Sequence, residues 1–104
     1  MKRDGGGDPT AEGVELLAVR AEIERVDEAI VFLIDQRMRL ARRVGELKRT
    51  AGLAVLDTTR EAAVVDRAGA LAQDRGLDAK AVRDVFWQLI EMARGAQGVQ
   101  GRGD

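Results

Sequence analysis

The chain has 104 residues, 45% of them hydrophobic and 34% charged, with a formal net charge of −1; that suits one domain with a core and gives no global attraction to nucleic acid or to an anionic membrane surface. It contains no Cys, His, Tyr or Ser, which excludes a disulfide scaffold, thiol and serine nucleophiles, histidine bases and His/Cys metal sites. Any catalysis must rest on Arg, Lys, carboxylates, amides and positioning, with no cofactor.

Residues 1–13 are polar and Gly-rich, with no apolar stretch able to act as a signal peptide. They are expected to form a flexible head on a cytoplasmic protein. A long periodic segment follows, which predicts one helix from about Gly13 to Ala51, stopped by Gly52. After a short extended loop, Leu53 to Leu56, a cap at Asp57, Thr58 or Thr59 opens a second helix that ends at Gly76. Its inward residues are Ala62, Val65, Ala68, Leu71 and Ala72, and Gly69 weakens it slightly. Asp78 then caps a third helix with Val82, Val85, Phe86, Leu89, Ile90 and Ala93 as its inner stripe. Residues 98–104 are expected to be a disordered tail, leaving 14–97 as the folded domain. There is no strand signal and no internal repeat, so the fold class is all-α.

Within the first helix, Leu16, Val19, Ile23, Val26, Ile30, Leu33, Arg37, Leu40, Val44 and Leu47 are spaced alternately three and four apart, the repeat of a helix burying one seam. Arg37 is the one charge in that column. A guanidinium stays protonated and is costly to bury unpaired, so Arg37 either snorkels to water or is held for an anion.

At 1.5 Å per residue this helix extends roughly 60 Å, whereas a compact globule of this size is about 30 to 35 Å across. Two short helices would hide roughly half of its seam. The remainder calls for a second copy, and an antiparallel, intertwined homodimer is the simplest closed arrangement. The cations obey the same geometry. Arg20 and Lys48 share a helix face but stand roughly 42 Å apart along it, so they cannot reach one ligand within a chain. In an antiparallel dimer, Arg20 of one protomer approaches the middle of the partner helix. There Arg37 and Lys48 lie about 16 Å apart axially and within about 20° in azimuth. Three cations, roofed by Arg60 and Glu61, would suit a compact dicarboxylate, because an Arg fork binds a carboxylate bidentately.

The stretch Leu17 to Ile23, then Val26-Asp27, Asp35-Gln36-Arg37, Val44 to Lys48, Leu56-Asp57 and Arg60-Glu61 resembles the all-helical class of chorismate mutases, from about Leu16 to Gln97. The resemblance implies an intertwined three-helix dimer that rearranges chorismate to prephenate on the way to phenylalanine and tyrosine. It implies that Arg20 from the partner subunit and Arg37 hold the two carboxylates. Lys48 would contact the enolpyruvyl carboxylate and, with Gln97, the ether oxygen. Glu61, helped by the backbone near Asp57, would accept from the ring hydroxyl, and Arg60 would support the carboxylate network. Ala93 stands where some relatives have a serine against the ring carboxylate. Gln97, between Gly95 and Gly98, sits where a helix is weakly held.

Each residue also has an ordinary alternative: Lys48 as compensation of the helix dipole, Asp57, Arg60 and Glu61 as cap and first-turn charges, Gln97 as a solvated tail residue. Three rival functions remain. They are a 4-amino-4-deoxychorismate mutase of a specialised pathway, an isochorismate pyruvate lyase, and a non-enzymatic coiled-coil or nucleic-acid-binding helix suggested by Arg37, Arg39, Arg42, Arg43, Lys48 and Arg49. The resemblance makes Glu61 favour a mutase over a lyase but does not separate the two mutases. An activating partner enzyme is open. The terminal Arg102-Gly103-Asp104 reads as chance.

Overall fold

The computed structural model describes residues 10–98; the remainder of the head and of the tail, with Arg102-Gly103-Asp104, lies outside the described residues. Three helices follow in order, α1 (Ala11–Thr50), α2 (Thr58–Asp74) and α3 (Ala79–Gln97), with no strand among the described residues.

Local chemistry accounts for the ends of these helices. α1 starts at Ala11, earlier than the expected Gly13, because the Thr10 hydroxyl accepts from the Gly13 N–H at 3.0 Å and the Thr10 carbonyl accepts from Val14 at 2.8 Å. Asp57 caps α2 by accepting from the Arg60 N–H, and Asp78 caps α3 by accepting from the Ala81 N–H. α1 and α2 both close in the same way. Leu53 donates to the Lys48 carbonyl and Gly52 to Arg49, while Leu77 donates to Ala72 and Gly76 to Gln73. This double return needs a left-handed residue after the helix, supplied by Gly52 at φ 75° and Gly76 at φ 72°.

The chain divides into two units, residues 1–33 and 34–104. The described part of the first is the N-terminal portion of α1, whose seam residues Leu16, Val19, Ile23, Val26, Ile30 and Leu33 are all exposed. In the second unit α2 packs on α3. Val65, Ala68, Gly69 and Ala72 are buried on α2, and Ile90 and Ala93 on α3. Three expected inward residues, Ala62, Leu71 and Val85, are exposed instead. The helices meet through small side chains, and the Arg83 side chain crosses α2 over Gly69, where a Cβ would stand 2.8 Å from its Nη1.

The larger difference concerns α1. The short helices were expected to hide about half of its seam, yet within the second unit Leu40, Val44 and Leu47 remain exposed, Leu40 at 66%. The covered stripe is Ile34, Met38, Ala41, Gly45 and Lys48, also spaced three and four apart but rotated by one residue from the seam. Its centre is Ala41 and Gly45, too small to register in a pattern of large apolar residues. A Cβ on Gly45 would stand 2.9 Å from the Gln97 carbonyl oxygen, so the missing side chain is what lets the last turn of α3 reach α1. Arg37 lies between the two stripes, half-buried where its seam neighbours Leu33 and Leu40 are exposed.

Candidate active site

The second unit contains a cleft of about 300 Å³, at the lower end of the size of small-molecule pockets. α1 contributes Arg37, Leu40, Ala41, Val44 and Lys48, the following loop Val55 and Asp57, α2 Arg60, Glu61 and Val64, and α3 Ile90, Ala93 and Gln97. Six of the seven candidates from the sequence, Arg37, Lys48, Asp57, Arg60, Glu61 and Gln97, therefore line one space. The seventh, Arg20, is exposed on α1 in the first unit and is not among the lining residues.

Each polar side chain reaches the cleft for a definite reason. Lys48 is in the last turn of α1, and the Schellman closure that follows turns the loop back over it. Its ammonium donates to the Val55 carbonyl at 3.5 Å and stands 3.8 Å from Asp57 Oδ2. The other Asp57 oxygen, Oδ1, caps α2, so one carboxylate fixes the start of a helix and steadies the ammonium. At 23% side-chain exposure, Lys48 is held in position with room left for a ligand. The guanidinium groups of Arg37 and Arg60 form no hydrogen bond or ion pair with any described residue. Two guanidinium groups facing a cleft without partners form an anion-binding arrangement.

Glu61 is engaged differently. Arg94 of α3 grips it from both sides, Nη2 on Oε1 at 2.6 Å and Nε on Oε2 at 3.0 Å. The Glu61 side chain is 14% exposed and that of Arg94 32%. Hydrogen bonding to Glu61 raises the Arg94 guanidinium above its ordinary pKa, against the opposing effect of burial. Arg94 did not emerge from the sequence because its partner lies on another helix, 33 residues away. One signal was available: Ile90, Ala93, Arg94 and Gln97 fall on a single helical stripe, so Arg94 is a charge on an inner face, as Arg37 is.

Gln97 is the last residue of α3, and the expected weakness of the helix there is met by a contact from α1. Arg49 Nη1 donates to the Gln97 carbonyl at 2.6 Å, while Gly45 allows the Gln97 backbone to approach. Ala93 presents a small apolar surface to the cleft.

The cluster of cations that suggested a nucleic-acid helix does not form one face. Arg39 pairs with Asp35 and Arg43 with Glu46 on the surface, Lys48 turns to Val55 and Asp57, Arg49 turns to Gln97, and Arg37 enters the cleft. Among the described residues no group of His, Cys, Asp and Glu could hold a metal ion, and no helix is long and apolar enough to cross a membrane.

The family model of chorismate mutase type II matches residues 19–98, which includes the whole cleft. The chain belongs to that family. Among its relatives is a chorismate mutase of Methanocaldococcus jannaschii, 31% identical over 83 residues that make up 80% of this chain and 84% of that protein. A 4-amino-4-deoxychorismate mutase of Streptomyces venezuelae is 31% identical over 81 residues, 77% of this chain and 79% of that protein. A 3-dehydroquinate dehydratase of Pyrobaculum aerophilum is 39% identical over 88 residues; the match takes in 85% of this chain but spans only 26% of that protein's length.

Proposed function

We propose that this protein, a member of the chorismate mutase type II family, rearranges chorismate to prephenate, and that it does so as an antiparallel homodimer. The observation that carries the reading is the pair of unpartnered guanidinium groups, Arg37 and Arg60, facing one cleft with the positioned ammonium of Lys48. A cleft so charged suits a compact dicarboxylate.

The reaction is intramolecular: the ether C–O bond breaks as a C–C bond forms at the other end of the same molecule. No nucleophile, metal or proton transfer is required, which fits a chain without His, Cys or Ser. Such a site acts by folding the substrate into its reactive conformer and by meeting the charge that develops on the ether oxygen. Arg37 takes one carboxylate and Lys48 the enolpyruvyl carboxylate, with Arg60 supporting both. Lys48 and the Gln97 amide donate to the ether oxygen as its bond lengthens, and Glu61 accepts from the ring hydroxyl. A preorganised donor of this kind contributes about 100- to 1,000-fold in rate.

The dimer rests on the seam of α1. Its nine apolar residues are all exposed, Ile23 at 53% and Leu40 at 66%, and a second copy of α1 is the self-complementary cover. That arrangement brings Arg20 of the partner to the substrate as a fourth cation beside Arg37, Lys48 and Arg60.

The test is chorismate consumption by the purified protein, with the product identified, beside Lys48→Ala. Prephenate from the wild type and loss of at least about 100-fold in the variant support the reading. A folded protein that leaves chorismate unchanged refutes it. Rearrangement of 4-amino-4-deoxychorismate is the second reading, favoured by the equal identity to relatives of both activities.

A further inference from the structure

The fork of Arg94 on Glu61 bears on which of those two substrates the cleft accepts. Glu61 lines the cleft and Arg94 does not; the guanidinium holds the carboxylate by both oxygens, 2.6 and 3.0 Å away. An ionised carboxylate has about four lone-pair sites. The fork occupies one on each oxygen, which leaves acceptor capacity for a donor from the substrate but offsets the negative charge of the group, although Glu91 also acts on the Arg94 guanidinium. Elsewhere in the lining, cations outnumber anions, since Arg37, Lys48 and Arg60 face only Asp57 and Glu61, and Asp57 is already beside Lys48.

We propose that Arg94 is a specificity-determining residue that sets the Glu61 end of the cleft for a neutral hydroxyl and against a protonated amine. The proposal rests on the reading that Glu61 accepts from the ring substituent. A hydroxyl needs an acceptor there and nothing more. An ammonium leaving water needs a counter-charge as well, and the carboxylate that would supply it already has its charge offset by a second cation close by. The pairing therefore penalises the charged substrate while leaving the hydrogen bond to the neutral one intact, which is discrimination by a repulsive element.

The experiment compares kcat/KM for chorismate and for 4-amino-4-deoxychorismate in the wild type, Arg94→Lys and Arg94→Met, with folding and mass checked for each. The wild type is expected to prefer chorismate. In Arg94→Met the ratio of the two values should move toward the amine by about tenfold or more, the factor that 1.4 kcal/mol of differential binding produces. Arg94→Lys, which keeps the charge without the fork, should fall between the two. A purely structural role would lower both activities in step and leave the ratio unchanged, and that result would overturn the proposal. So would a wild type that handles the amine as well as or better than chorismate, a result that holds even if Arg94→Met fails to fold. A wild type that converts neither substrate removes the parent reading and this one with it.

Discussion

Arg37 is the residue at which the proposed function and the stability of the fold make opposite demands. It is half-buried between two apolar stripes of α1 and has no partner among the described residues, an arrangement that costs free energy in the absence of an anion. Arg37→Met keeps the length and removes the charge. Thermal unfolding of the variant should occur at the same temperature as the wild type or higher, while kcat/KM falls by about 100-fold. A variant that lost stability and kept activity would assign Arg37 to the fold instead. Asp57 offers a separate test, because its two oxygens have different tasks. Asn caps a helix about as well as Asp, so Asp57→Asn should leave stability within about 0.5 kcal/mol, as replacement of an equivalent cap allows. The same substitution weakens the hold on Lys48 and should lower kcat, read from steady-state kinetics beside a denaturation curve.

Among the elements, the last turn of α3 depends most on its neighbours. Gly45→Ala places a Cβ 2.9 Å from the Gln97 carbonyl oxygen, which is backbone and cannot swing aside. We expect a loss of about 1–3 kcal/mol, measured by urea titration, together with reduced activity because Gln97 moves. Arg49→Ala removes the hydrogen bond to the same carbonyl from an exposed position; it should lower kcat more than it lowers stability. The sequence made the helices legible because Asp57, Asp78, Gly52 and Gly76 mark their ends by side-chain and backbone chemistry that acts within a few residues. It made six of the lining residues legible through spacing and resemblance. What it did not reveal was the covered stripe of α1, since periodicity weights large side chains and this stripe turns on Ala41 and Gly45. Nor did it pair Arg94 with Glu61, a contact set by how two helices pack.

At the scale of the whole molecule, the exposed seam decides the expectation. Leu16, Val19, Ile23, Val26, Ile30 and Leu33 before Arg37, and Leu40, Val44 and Leu47 after it, are all exposed on α1, although Leu40 and Val44 also line the cleft. Under the proposed dimer, more of these residues are left for the second copy than the helix length alone implied. Sedimentation should give twice the chain mass, and the unfolding temperature should rise with protein concentration, as it does when folding and association are coupled. Ile23→Asp, far along the chain from the cleft residues, should dissociate the dimer and abolish turnover.

The most direct measurement co-expresses Arg20→Ala and Lys48→Ala chains with different tags and assays the purified heterodimer for prephenate formation. Each parent homodimer should be inactive. If Arg20 serves the partner's cleft, the heterodimer carries one site with both lesions and one with none, and about half of the wild-type activity returns, as twofold symmetry requires. A heterodimer as inactive as its parents would contradict the shared site and, with it, the account of how this chain binds its substrate.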